Sequence, residues 1–250
     1  MLTVCGELKT AIEAAGDSIY PMDFILNSAN GAWEPVIYEF GGQLFNEDGT
    51  SALASDEAVA GIQALVDMID EGYIPDYQTI SDTAAEELFI SGQTCMLYLP
   101  TFSAQKVEQA EMENVKLIQI STAKTQDFLA GSMHYGMNAA SEHKDEAWKF
   151  LEYLAGEEAN DIIGKSGIDL PARLSSQEYY GESFTKFDGQ AFVDVIPSAK
   201  PAESGPSYAS DEINSIMNEQ IIEIFNKNVG VQEGLEQMAA DIDAAIADGQ

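Results

Sequence analysis

Residues 41–72 read GGQLFNEDGTSALASDEAVAGIQALVDMIDEG, and this stretch contains the pattern that decides the fold. Asn, Glu, Asp and Gly at 46–49 are typical of a turn. Ser55 is a favoured helix N-cap, and the two acids after it suit the positive first turn of a helix. Apolar residues then recur at helical spacing until Gly72, a common residue at helix ends. The stretch therefore predicts a turn followed by an amphipathic helix.

The same reading on either side gives helices that alternate with short strands. Helical patterns cover residues 3–15, 213–225 and 235–246. A short apolar run at 95–99 predicts a buried strand, and 133–137 has extended character. Short strands separated by helices are typical of an α/β architecture.

Two side chains outside the candidate site are predicted to be buried. Cys95 lies in the apolar run 95–99 and is interpreted as a buried, inert thiol. Trp148 follows Ala147 and shares a helical face with Leu151 and Leu154, which predicts a core position.

The charge balance excludes several classes of partner. The chain has 11 Lys and Arg against 43 Asp and Glu, a formal net charge of −32. Such a surface repels phosphate backbones and anionic lipid headgroups, so we expect no nucleic acid partner. The acids are dispersed along the chain, which is typical of solvated helix faces. The sequence has no run of 18 or more apolar residues, so no membrane span is predicted.

Signals for catalysis and for metal binding are weak. His134 and His143 have neither a nearby cysteine nor metal-ligand spacing, so we predict no metal site. Residues 131–134 do not match a nucleophile elbow, and no phosphate-binding glycine loop is found. We therefore predict no enzyme and no cofactor. Carboxylates are so abundant that a pair of acids acting as a glycoside hydrolase stays open as an alternative.

Five stretches together resemble the extracellular solute-binding proteins of ABC importers, the family that includes the maltose-binding protein. They occur in the family's order over nearly the whole chain, at residues 2–8, 41–72, 89–96, 137–151 and 231–235. The chain departs from the family pattern at Cys5, where an aromatic residue is usual, and at Cys95, where alanine is usual.

The resemblance implies an α/β fold of the type II periplasmic-binding-protein kind, with two lobes joined by crossovers. Residues 1–130 would form the first part of the second lobe, 131–185 a remnant of the first lobe, and 186–250 the carboxy-terminal helices of the second lobe. Family members extend further at the amino terminus, so we expect an incomplete first lobe. The strand expected at 133–137 would belong to this lobe and would lack its usual sheet neighbours. Its backbone groups and apolar faces would then be left open. Leu2–Cys5 resembles the end of a lipoprotein signal, but only one residue precedes it, so no signal peptide is predicted in this chain.

Sugar sites combine flat aromatic faces, which stack on the sugar, with amide and carboxylate side chains that bond its hydroxyl groups. On the family's pattern, the candidate ligand-binding residues are Asn30, Trp33, Phe102, Ser132 and Tyr208. For Trp33, ordinary core packing stays open as an alternative.

The function that follows is capture of a sugar or oligosaccharide for import. The intact protein would be a monomer that is extracellular, periplasmic or anchored at the cell surface, and it would deliver its ligand to a membrane permease. We expect the shortened chain to bind weakly or not at all. The alternatives are a binding protein for a non-sugar solute, such as a polyamine, peptide or organic anion, and the glycoside hydrolase.

Overall fold

The computed structural model describes residues 1–26, 33–110, 112–118, 124–125, 129–131, 134–201, 203, 205–206 and 208–249. The chain packs into two compact units. Unit 1 consists of residues 1–99, 121–129 and 202–250, and unit 2 of 100–120 and 130–201. The chain therefore passes between the units four times. The assignment of residues 1–130, 131–185 and 186–250 to lobes stays a prediction.

The described helices, in chain order, are α1 Leu2–Ala15, α2 Trp33–Glu39, α3 Asp56–Asp70, α4 Tyr77–Asp82, α5 Ala85–Ile90, α6 Ala104–Gln109, α7 Lys144–Ala155, α8 Glu157–Ser166, α9 Gln177–Glu182, α10 Gln190–Val195, α11 Ser210–Phe225 and α12 Val231–Asp248. Short 3-10 helices span Thr101–Ser103, Leu174–Ser176 and Ile196–Ser198. The described strands are β1 Tyr20–Phe24, β2 Thr94–Tyr98, β3 Leu129–Ala130 and β4 Lys200–Pro201.

β1 and β2 form a parallel pair in unit 1. Tyr20 lies opposite Thr94, and Phe24 lies opposite Tyr98. Parallel strands need a long connection, and helices α2 to α5 supply it here. The mixture of helices with parallel strands agrees with the predicted α/β class.

The helix of the opening stretch is confirmed as α3. Ser55 Oγ accepts a hydrogen bond from the Ala58 amide at 3.3 Å, which satisfies one of the free donors at the helix start. Gly72 follows the helix with φ +63°, a conformation that glycine adopts without steric cost. The predicted helices near both ends of the chain are confirmed as α1, α11 and α12.

Each unit has a hydrophobic core of its own. In unit 1 the core gathers large, fully buried side chains from β1, α2, α3, α11 and α12, among them Phe24, Trp33, Leu65, Ile224 and Leu235. In unit 2 four aromatic rings of the 180–192 region pack together, with Tyr180 edge-on to Phe184 at 4.9 Å and Phe187 stacked on Phe184 at 4.9 Å.

The predicted burial of Cys95 and Trp148 is wrong. Cys95 is exposed, because successive side chains of a strand point to opposite faces and its neighbour Thr94 takes the buried face. Trp148 is 56% exposed, and no residue of α7 is buried. α7 contacts α8, and Ala147, Leu151 and Leu154 of its apolar face are half-buried, but the face is not covered completely and Trp148 stays exposed.

The predicted strand over 133–137 is also not observed. Residues 134–137 are described and have no strand structure, while 133 lies outside the described residues. Tyr135 is 60% exposed and Met137 38% exposed. A strand is stabilised by pairing with a neighbour, and none is present beside these residues in the described part of the chain.

Candidate functional site

Open α/β sheets bind ligands beyond the carboxyl ends of their strands. The carboxyl ends of β1 and β2 are therefore a candidate ligand site. Phe24 and Tyr98 end the two strands, and their rings stack with centroids 5.1 Å apart. Asp23 precedes Phe24 and is fully buried. Its Oδ1 accepts a hydrogen bond from the Phe24 amide at 2.8 Å, whereas Oδ2 has no partner among the described residues.

Burial raises the pKa of Asp23 to about 7, and the neighbouring carboxylate of Glu86 adds to the effect. Asp23 is therefore protonated much more readily than an exposed aspartate. A group in this state is a common feature of functional sites, but buried structural acids show it as well.

A second buried acid, Glu39, ends α2 with 8% of its surface exposed. The Tyr98 hydroxyl donates a hydrogen bond to Glu39 Oε1 at 3.4 Å. Burial raises the pKa of Glu39 to about 7, although the bond from Tyr98 partly opposes the rise. Burial and the nearby carboxylate in turn raise the pKa of the Tyr98 hydroxyl.

Residues 38–45, here called the anchor segment, hold stretches of unit 1 that lie near chain crossings. The amides of Lys124 and Thr125 donate to the Glu39 carbonyl oxygen at 2.9 and 3.1 Å. Thr125 Oγ1 also donates to the Tyr38 carbonyl oxygen at 2.8 Å. Both residues belong to the 121–129 stretch, which has a crossing at each end.

The last crossing lies between residues 201 and 202. Glu203, just after it, binds the same anchor segment. Glu203 Oε2 accepts hydrogen bonds from the amides of Leu44 and Phe45 at 3.0 and 3.1 Å. Burial, together with this carboxylate, raises the pKa of Tyr38. The anchor segment thus holds, inside unit 1, residues 124–125 and Glu203, which lie within a few residues of three of the four chain crossings.

The predicted site residues of unit 1 differ in exposure. Trp33 is fully buried, and its Nε1 has no hydrogen-bond partner among the described residues. Its ring faces no solvent, so core packing describes it here, and a ligand contact stays a prediction. Tyr208 is 52% exposed, and its hydroxyl donates to the Ile246 carbonyl oxygen at 3.4 Å. Asn30 lies outside the described residues.

Phe102 is the predicted aromatic in unit 2, and it is 54% exposed on the 3-10 helix Thr101–Ser103. The preceding residue is held on two sides. Thr101 Oγ1 donates to Asp169 Oδ1 at 3.2 Å, and the Tyr180 hydroxyl donates to the Thr101 carbonyl oxygen at 2.8 Å. Ser132 lies outside the described residues.

Other features of the described surface do not form a site. Two open depressions of about 330 and 250 Å³ on unit 1 are lined around Lys227–Val231 and around Asp17–Tyr20, and neither includes a predicted site residue. Within the described ranges, no cluster of three or more His, Cys, Asp or Glu could hold a metal ion. None of the helices described has the length and apolar character needed to cross a bilayer.

A family model for bacterial extracellular solute-binding proteins matches residues 6–161. The chain belongs to this family. A curated relative, a protein of Brucella abortus named as a binding protein, is 24% identical over 220 residues, covering 84% of this chain and 52% of the relative. A Brucella suis protein matches with the same figures.

Solved structures show that this solute-binding protein has the type II periplasmic-binding-protein fold. The ABC substrate-binding protein of Listeria monocytogenes, in complex with cycloalternan, gives a TM-score of 0.79 at 17% identity, covering 93% of this chain and 60% of that one. The maltose-bound MalE3 of T. maritima gives 0.75 at 15% identity, covering 97% and 64%. MalE of Bdellovibrio bacteriovorus, bound to maltotriose, gives 0.73 at 20% identity, covering 92% and 61%.

The chain thus spans about half the length of the curated relatives it matches, 52% in the case of the Brucella abortus protein. Sequence reasoning missed Asp23, Glu39 and Tyr98. A signal for the acids was present, because Asp23 lies in the apolar run 20–24 and Glu39 follows Val36, Ile37 and Tyr38. An acid within such a run is either buried or turned to another face, and only the tertiary structure shows which of these holds.

Proposed function

We propose that this solute-binding protein captures a sugar or oligosaccharide outside the cell and presents it, as a monomer, to the permease of an ABC importer. The observation that supports the proposal most is the half-exposed state of Phe102 and Tyr208, at 54% and 52%. By the family resemblance, Phe102 falls at a position where a stacking aromatic is common, and Tyr208 at one where an aromatic faces the ligand cleft. The sugars bound to the solved relatives give further support.

Aromatic faces suit sugars for a physical reason. The C–H-rich face of a pyranose is weakly apolar, and it loses little on leaving water for a flat ring. Binding proteins of this fold work by closing around the solute, and closure removes water from the stacked faces. No bond of the ligand is broken. Affinity then comes from stacking and from hydrogen bonds to hydroxyl groups.

The test uses saturation-transfer NMR, which detects the weak binding expected of this chain. Maltose, maltotriose and cycloalternan are compared with spermidine, a tripeptide and citrate. We expect transfer to the sugars and a loss of at least half of it in Phe102→Ala. Trp148→Ala is the matched control, since Trp148 is similarly exposed at 56% and has no proposed ligand role. Transfer to a non-sugar alone would overturn the proposed ligand class.

The proposal also holds that the ligand leaves unchanged. Incubation with chromogenic glycosides should release no chromophore above the buffer blank. The buried acids Asp23 and Glu39 provide the check, because hydrolysis that disappears in Asp23→Asn or Glu39→Gln would identify a glycoside hydrolase instead.

A further inference from the structure

Thr101, the residue immediately before Phe102, is fixed by unit 2 through both its backbone and its side chain. We propose that Tyr180 and Asp169 are positioning residues for Phe102: by holding Thr101 they orient the exposed ring for stacking on the ligand. This inference rests on the proposed function, because it assigns a supporting role to two residues that do not themselves contact the sugar.

Tyr180 is suited to this role because its ring is immobilised. The side chain is fully buried. Its ring lies edge-on to Phe184 at 4.9 Å and to Phe192 at 6.0 Å. Burial raises the pKa of the Tyr180 hydroxyl, with Asp169 adding to the effect, so the group stays protonated and remains a donor.

The acceptor of that bond lies at the start of the 3-10 helix. The Thr101 carbonyl oxygen accepts from the Tyr180 hydroxyl at 2.8 Å and also from the Ala104 amide. A carbonyl oxygen has two lone pairs, and both are used here. The peptide plane between Thr101 and Phe102 is therefore fixed in rotation, and this plane sets the direction in which the Phe102 side chain leaves the backbone.

Asp169 fixes the other side of Thr101. Its Oδ1 accepts from Thr101 Oγ1 at 3.2 Å and from the Leu170 amide at 2.8 Å. Threonine is β-branched, so a hydrogen bond to its hydroxyl selects one χ1 rotamer. The loop before Asp169 also packs closely on α6, because a Cβ added at Gly167 would lie 2.5 Å from Gln105 Oε1.

These contacts have a consequence for binding. An exposed aromatic on a mobile backbone loses conformational freedom when it stacks, and that loss weakens affinity. An aromatic on a fixed backbone has already lost most of this freedom. Removing either contact to Thr101 should therefore weaken ligand binding about 3- to 10-fold without removing any ligand contact.

The decisive measurement reads the position of the ring without any ligand. Phe102 is replaced by 4-trifluoromethyl-phenylalanine, and its ¹⁹F NMR signal is recorded in the otherwise unchanged chain, in Tyr180→Phe and in Thr101→Val. We expect one narrow line in the parent, and broadening or a second line in each variant. Tyr179→Phe is the matched control, since it removes a hydroxyl from the adjacent residue of the same helix and should leave the line unchanged.

A merely structural role would lower the thermal unfolding temperature of Tyr180→Phe while the ¹⁹F line stayed narrow, and that result would overturn the inference. Thr101→Val provides the independent check should Tyr180→Phe fold poorly. Titration of maltotriose is the second readout, with the 3- to 10-fold loss expected in both variants. If the parent binds a non-sugar solute alone, the proposed function fails, whereas the ¹⁹F spectra still decide whether Tyr180 and Asp169 position Phe102.

Discussion

Glu39 couples the stability of unit 1 to pH. Its pKa in the folded protein is about 7, above the usual 4.5, because the carboxyl is buried. Between pH 4.5 and pH 7, therefore, the folded state keeps a proton on Glu39 that the unfolded chain has already released. Stability from this group is highest below pH 4.5, falls as the pH rises through 7, and stays low above it. Burial also raises the pKa of Asp23 to about 7 and the pKa of Glu34 to about 8, so these two acids change the stability in the same direction.

Glu39→Gln should reduce this loss. Glutamine cannot ionise, so the free energy of unfolding should fall less between pH 5 and pH 8.5, by about 1–3 kcal/mol relative to the parent chain. Urea unfolding followed by circular dichroism at both pH values measures the difference. Glu47→Gln, which changes an exposed carboxyl of the same unit, serves as the control. An equal effect in both variants would show that burial of Glu39 is not the cause.

At the scale of elements, α2 and α7 show how similar sequence signals lead to different environments. Each helix has a tryptophan among apolar neighbours. Trp33 of α2 is fully buried in the core of unit 1, whereas Trp148 of α7 is 56% exposed. The difference arises because α2 packs on α3 within the core of unit 1, whereas α7 contacts α8 with an apolar face that is no more than half-buried. An exposed face of this kind is a potential site of association.

Fluorescence quenching should separate the two tryptophans. Acrylamide is uncharged, so the net charge of the protein does not affect its approach. We expect two emission components in the parent, of which one is quenched efficiently and the other is protected. Trp148→Phe should remove the quenched component and shift the remaining emission to shorter wavelength. Efficient quenching of the emission that remains in Trp148→Phe would contradict the burial of Trp33.

For the whole molecule, the dominant property is a net charge of −32 over 250 residues. Like charges repel one another, and the repulsion is stronger in the compact state than in the unfolded chain. Salt screens it, since the Debye length falls from about 30 Å at 0.01 M to about 10 Å at 0.1 M. The folded state of this protein should therefore depend on ionic strength.

Raising NaCl from 10 to 300 mM at pH 7.5 should raise the thermal unfolding temperature by about 3–6 °C. Differential scanning calorimetry measures the shift. The control needs no substitution, because at pH 4.5 the protein is close to its isoelectric point of about 4.1 and little net charge is left to screen. A shift of equal size at both pH values would mean that screening of the net charge is not responsible.

The sequence by itself determined the elements whose signals are local. Ser55 and Gly72 bound α3 at its two ends, and Gly16 ends α1, because caps and positive-φ glycines act within one turn of a helix. The order of the family motifs also determined the fold, since the matching blocks extend over nearly the whole chain.

Only the tertiary structure decided which apolar and acidic side chains are buried. The exposure of Cys95 and Trp148, the burial of Glu39 beside Tyr98, and the contacts of Tyr180 and Asp169 with Thr101 all depend on partners distant in sequence. The physical reason is that a local pattern gives the face of an element on which a residue lies. Burial and pKa are set by what packs against that face, and the packing partner comes from elsewhere in the chain.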